Sequence, residues 1–193
     1  MFRTISEYVF AQPYNTAFEV IDSMEKLPIR KYPRLKEYDY SQFGSYFVTF
    51  CIKDKHQLLG FISVGSGFHA RPTVALTTLG AEVEKTIQYI CIDDEAVKIP
   101  HYIIMPNHVH LIVMLNSDTV AIGHGSPTLQ SVIGRIKSYT TKRWNEINNI
   151  KQQIIWQRSF HEHIIRSEAD YHRIWQYIDE NPMRWTEDKY YIN

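Results

Sequence analysis

The sequence predicts an α+β fold of the ferredoxin-like, RRM-like kind. It is a βαββαβ antiparallel sheet with helices on one face, followed by one further helix toward the C-terminus. Three observations predict it. Apolar patterns of period two and period 3.6 succeed one another in the order strand, hairpin, helix, strand, strand, helix, strand, helix. Without the early hairpin, that order is the split βαβ arrangement. Finally, 193 residues, 44% of them hydrophobic and 22% charged, can bury one core without disulfides.

Residues 46–52 (YFVTFCI) are β-branched and aromatic, which suits a strand near the sheet centre. Residues 57–64 and 73–78 are short apolar runs parted by Gly65, Gly67 and Pro72, and read as a hairpin. From Gly80, a helix is marked by Val83, Ile87, Ile90 and Cys91 on one face. Residues 101–105 and 108–114 are two strand-like runs split by the breaker Pro106-Asn107. A polar loop over 116–127 leads to a helix over 129–147. Val132, Ile133, Ile136 and either Tyr139 or Thr140 line one side of that helix. Residues 154–165 read as a strand. Ser167 then offers an N-cap, with Asp170 three residues on. The last helix carries Tyr171, Ile174, Trp175 and Ile178 and is expected to end at Pro182, which pushes Asn181 out of the α region.

The chain has 21 basic and 21 acidic side chains, so no chain-wide attraction to an anionic partner follows. The positive charge is local. Residues 131–166 hold seven basic side chains (Arg135, Lys137, Lys142, Arg143, Lys151, Arg158, Arg166) against Glu146 and Glu162, interleaved with Tyr139, Trp144, Trp156 and Phe160. Basic groups follow phosphates and aromatic rings stack bases in single-strand binders. A solvated helix face over core aromatics fits the same pattern. Residues 26–36 are basic as well and read as a linker or a phosphate-contacting arm. Cys51 and Cys91 lack metal or redox spacing and read as inert thiols of a reducing compartment. No apolar stretch approaches the length of a membrane span, so a soluble, cytoplasmic chain without membrane contact is expected.

His108 and His110 stand two apart in a predicted strand, so both imidazoles point to one side and Val109 points into the core. Their Cα atoms would lie about 6.5 Å apart, from which two imidazole nitrogens can converge on one divalent cation. Tyr177 and Asn181 are four apart on the last helix and share a face with Asp170 and Arg173. A second His-x-His, His161 and His163 around Glu162, reads as structural or as a substrate contact.

These residues carry a resemblance. Residues 102–114 (YIIMPNHVHLIVM) resemble the signature of HUH endonucleases of the insertion-sequence transposase type. Residues 156–182 (WQRSFHEHIIRSEADYHRIWQYIDENP) resemble the C-terminal signature of the REP-associated tyrosine transposases, and residues 36–60 the start of their domain. The similarity covers roughly residues 35–185. It implies an N-terminal arm over 1–35, a catalytic domain over 36–185 and a tail over 186–193. It also implies a Mg²⁺ or Mn²⁺ ion held by His108, His110 and Asn181, with Tyr177 as the nucleophile carried by the last helix. Tyr139 is the rival nucleophile, since it lies in the basic helix. The implied activity is cleavage and rejoining of single-stranded DNA beside hairpins, such as repetitive extragenic palindromes, through a 5′-phosphotyrosine. A domesticated relative that binds hairpin DNA without cutting it is the alternative. Arg135, Lys137, Lys142, Arg143, Arg158 and Arg166 would contact the DNA, and the protein would act as a monomer or homodimer.

Overall fold

The computed structural model describes residues 44–64, 70–116 and 127–192. The expected arm over 1–35, the basic stretch over 26–36 and most of the polar loop over 116–127 lie outside the described residues. Among the described residues, six strands and three α-helices follow in order: β1 (Gly44–Cys51), β2 (Gly60–Ser63), β3 (Thr73–Leu76), α1 (Thr78–Asp93), β4 (Val97–Ile104), β5 (His108–Leu115), α2 (Leu129–Ile147), β6 (His161–Ile165) and α3 (Glu168–Glu180). Short 3-10 turns stand at Lys53–Lys55 and Asn181–Glu187.

The main sheet has the order β4-β5-β1-β6, with every neighbour pair antiparallel. This is the ferredoxin-like arrangement. The β2–β3 hairpin forms a separate two-stranded ladder between β1 and α1.

Alternation along β1 and β5 sorts two faces. Tyr46, Val48 and Phe50 join Val109, Leu111 and Val113 in one buried core beneath Val83, Ile87 and Ile90 of α1 and Val132, Ile133 and Ile136 of α2. On the opposite face, Ile112 packs against Ile174 and Ile178 of α3, with Phe47, Met114, Tyr171 and Trp175 around them. Both faces of β5 are therefore covered, which accounts for its nearly unbroken apolar run.

α1 starts two residues before the expected Gly80, because Thr77 caps it by accepting the Gly80 N–H. Gly80 sits so close to Leu59 that a Cβ there would meet the carbonyl oxygen at 2.0 Å. α2 has the expected bounds and opens with a capping box between Thr128 and Ser131. Thr140, not Tyr139, completes its buried stripe. Its hydroxyl donates to the Ile136 carbonyl and accepts from the Trp156 indole.

Three expectations differ from the structure. β4 begins at Val97, earlier than expected, and its register shifts between Lys98 and His101. Pro100 lies inside that shift and interrupts the alternation that marks a strand. The strand expected over 154–165 is ordered as β6 only from His161. Upstream, backbone pairing is reduced to an isolated bridge between Ile52 and Trp156, with Gln157 N–H donating to the Cys51 carbonyl and Lys53 N–H to the Ile155 carbonyl. Between that bridge and β6, the Lys137 ammonium donates to the carbonyls of Gln157 and Ser159 and lies over the Phe50 and Phe160 rings. Asn181 is not pushed out of the α region: it keeps φ −57° and ψ −41°. Pro182 enters the first turn of the following 3-10 segment, where its missing N–H is not needed.

Candidate active site

β5 carries His108 and His110 on the face that α3 covers. Both rings are buried, and their Nε2 atoms stand 3.0 Å apart. Each Nδ1 has its own partner. His110 faces Thr49 across the β1–β5 ladder, and its Nδ1 lies 2.7 Å from Thr49 Oγ1. His108 Nδ1 lies 2.9 Å from Asn107 Oδ1. The rings are thus held from behind with their Nε2 atoms facing each other, an orientation that outer-shell partners give to metal-binding histidines.

α3 brings the tyrosine. Ser167 caps the helix at the Asp170 N–H, as the sequence predicts. Ile174 and Ile178 seat the helix on Ile112, and Trp175 stacks on His101 of β4 at 3.8 Å between ring centroids. His101 Nε2 is also 3.0 Å from Asp179 Oδ1, close enough for an ion pair although poorly aligned for a hydrogen bond. These contacts place the Tyr177 hydroxyl 3.5 Å from His110 Nε2, with its ring edge-on to His110 and to Phe47. One turn on, Asn181 is buried and its Oδ1 has no hydrogen-bond partner.

The segment after α3 adds residues not singled out in the sequence. The Asp188 carboxylate and the two imidazoles offer ligand atoms that all lie within 4.8 Å of one another. The Tyr190 ring packs 4.6 Å from His108. Phe47, Tyr177, Asn181 and Asp188 line a cleft of about 790 Å³, with Arg173, Arg184 and Lys189 among the residues around it. No local pattern marks Asp188; it reaches the histidines only because the 3-10 turn folds the chain back. Asn107 was visible in the sequence only as a breaker, and its place next to His108 was the available clue.

The residues present suit a divalent ion. A buried amide oxygen lacks a partner, two imidazole nitrogens face one another, and a carboxylate stands beside them. This mixed nitrogen and oxygen set fits Mn²⁺ and other first-row ions better than Mg²⁺, which favours oxygen.

Burial sets the protonation of these groups. It lowers the His110 pKa from 6.5 to about 3. It holds His108 well below its usual value too, with the neighbouring His110 as the next cause. Both rings are therefore neutral near pH 7, the state that ligates metals. Burial raises the Tyr177 hydroxyl, and so does the Asp188 charge, while a hydrogen bond with Asn181 acts the other way. Tyr177 is therefore a protonated phenol at neutral pH.

A pH effect follows for the metal-free protein. Below about 6.5 the unfolded chain binds protons that the buried imidazoles refuse, so stability is complete above 6.5 and falls as pH drops toward 3. Thermal melts should show a falling midpoint between about pH 7 and 5, above the main carboxylate range, with a shallower fall in His110→Gln. Parallel curves for the two proteins would contradict this.

The basic residues lie apart from the histidines and Tyr177. α2 lies on the sheet face opposite α3, so Arg135, Lys137, Lys142 and Arg143 do not adjoin Tyr177. Arg135 pairs with Asp93 and Asp94. Arg143 pairs with Glu82 and Glu146. Lys137 turns inward to its two carbonyls, and burial lowers its pKa to about 8. Lys142, Arg158 and Arg166 are exposed. Tyr139 is about half exposed on α2, across the sheet from the histidines. In the second His-x-His, His163 pairs with Asp170 at 2.7 Å. Among the described residues, the only cluster of metal-ligating groups is His108, His110 and Asp188. Also among the described residues, no helix is long and apolar enough to cross a membrane.

The family of IS200-like transposases matches this chain over residues 68–181, more than half of its length. The chain belongs to the IS200-like transposase family. That stretch contains α1, β4, β5, α2, β6 and α3, and so His108, His110, Tyr177 and Asn181. A relative from Haemophilus influenzae, an uncharacterised protein, is 32% identical over 178 residues, which is 85% of this chain and 94% of the relative. Among solved structures, a REP-associated tyrosine transposase bound to a REP hairpin shares the fold. Its TM-score is 0.55 and its identity 23%, over 81% of this chain and 76% of the other.

Proposed function

We propose that this IS200-like transposase is a metal-dependent single-strand DNA endonuclease and strand transferase that acts beside DNA hairpins. The observation that carries the reading is the position of the Tyr177 hydroxyl, 3.5 Å from His110 Nε2 and on the same helix face as the unpartnered Asn181 oxygen. The solved structure with this fold and a REP hairpin supports a hairpin partner for this chain too.

His108, His110 and Asn181 would hold the ion, with Asp188 beside them. When bound, a divalent cation supplies Lewis-acid polarisation of a phosphodiester. α3 holds Tyr177 against His110 before DNA arrives, so the nucleophile is already positioned. Its oxygen attacks phosphorus after giving up the phenolic proton to solvent. The Tyr177 O–P bond forms, the bond from phosphorus to the 3′ oxygen breaks, and that oxygen takes up a proton to leave as a 3′-hydroxyl. The 5′-phosphotyrosine keeps a phosphodiester at the junction, so attack by a 3′-hydroxyl reverses the step and joins strands. Lys142, Arg158 and Arg166 are available to contact phosphates away from the reacting centre.

The test is covalent capture. Protein, Mn²⁺ and hairpin oligonucleotides with single-stranded flanks, taken from around its own gene, are resolved on a denaturing gel. A slowly migrating protein–DNA adduct is expected. Hairpin binding with no adduct would instead establish a binding protein that does not cut.

A further inference from the structure

We infer that Asn107 is the positioning residue of the metal site: it locks His108 with hydrogen on Nδ1 and the Nε2 lone pair turned toward His110. This deepens the proposed function and rests on it for the role of the metal.

The assignment follows from what an amide can do. Asparagine offers one acceptor oxygen and an NH₂ with two donors, and the surrounding network decides which end points where. Asn107 Nδ2 lies 3.0 Å from the Lys55 carbonyl oxygen and 2.8 Å from the Tyr190 carbonyl oxygen. A carbonyl oxygen only accepts, so the nitrogen end belongs there and both its hydrogens are engaged. The oxygen end then faces His108 Nδ1 at 2.9 Å. Oδ1 has no hydrogen, so Nδ1 must donate. A neutral imidazole has one N–H, which leaves Nε2 as an acceptor. Rotating the amide by half a turn would set its oxygen against two carbonyl oxygens in a fully buried place.

His110 is held differently. Its Nδ1 meets the Thr49 hydroxyl at 2.7 Å, and a hydroxyl can either donate or accept. Without metal, the 3.0 Å contact between the two Nε2 atoms needs one hydrogen, and His110 is the ring free to supply it. The Thr49 hydroxyl then donates to His110 Nδ1. A cation ligated by His110 Nε2 would need that nitrogen's lone pair, so His110 would then carry its hydrogen on Nδ1 and donate to Thr49. One histidine is fixed and the other adapts.

Asn107 has a second effect. The Tyr190 carbonyl that it holds lies two residues beyond Asp188, so the same amide ties down the turn that carries the carboxylate. It touches neither DNA nor the ion and acts through the groups it orients.

Imidazole nitrogen spectra of the ¹⁵N-labelled, metal-free wild type provide the first test. His108 is expected in the Nδ1–H form and His110 in the Nε2–H form; His108 in the Nε2–H form overturns the inference. The second test is Mn²⁺ affinity by calorimetric titration, with the melting midpoint as a check on folding. Asn107→Leu should weaken Mn²⁺ binding by about 10- to 100-fold, and Asn107→Asp, which keeps an acceptor for Nδ1, by less. Equal affinity in the wild type and a folded Asn107→Leu overturns the inference. If that variant does not fold, the wild-type spectra decide alone. A wild type with the expected tautomers that takes up no Mn²⁺ upholds the lock by Asn107 and overturns the metal reading instead.

Discussion

Tyr177→Phe should abolish the covalent protein–DNA adduct and lower strand cleavage by roughly a thousandfold or more, as removing a nucleophile does. Hairpin affinity should stay within about twofold of wild type. The substitution deletes one oxygen and keeps the ring, which packs edge-on against Phe47 and His110. The hydroxyl is not needed to seat α3, because Ile174, Ile178 and the Trp175–His101 stack do that. The loss would then be chemical, and an unchanged melting midpoint checks it. Tyr139→Phe is the matched control. That ring stands on α2, across the sheet from the histidines, and its loss should leave the adduct intact. An adduct in Tyr177→Phe but not in Tyr139→Phe would reverse the assignment.

His110→Ala should remove metal-dependent cleavage to the level seen with chelator present, and weaken Mn²⁺ binding at least about tenfold. His110 has more contacts at stake than any other ligand candidate. It faces His108 Nε2, holds the Thr49 hydroxyl, stacks on Phe47 and stands under Tyr177. A cavity in place of a buried ring also lowers stability, so cleavage should be compared at a temperature where both proteins are folded. His110→Gln keeps more of the volume and offers an amide oxygen as a weaker ligand. It should recover folding and part of the metal affinity. Full cleavage in a folded His110→Ala would remove the histidine pair from the mechanism.

The histidine pair was legible in the sequence because strand alternation is local: two residues apart in β5 means one side of the sheet, whatever the rest of the chain does. The same holds for Tyr177 and Asn181, whose shared helix face depends only on α3 being a helix. The order of elements was legible for a related reason, since each strand and helix carries its own apolar period. What sequence did not show depends on distant partners. Residues 154–160 have the composition of a strand, yet Lys137 on another element takes two of their carbonyls. The start of β4 is hidden by Lys98 and Pro100, which break the alternation at its register shift. Asp188 has no periodic signal and reaches the histidines through a turn built on Pro182 and Trp185. The basic stretch was visible as composition, but composition did not show that Arg135 and Arg143 are already engaged with carboxylates.

Because α3 docks on the sheet of its own chain, dilution does not part the tyrosine from the histidines. On the proposed mechanism, turnover per molecule should then be independent of protein concentration. A copy lacking Tyr177 and a copy lacking His110 should regain no cleavage when mixed, since each defect would stay with the chain that carries it. On the proposed mechanism, a single copy would be complete for breaking one strand, and encounter with DNA, rather than encounter between subunits, would set how soon it begins.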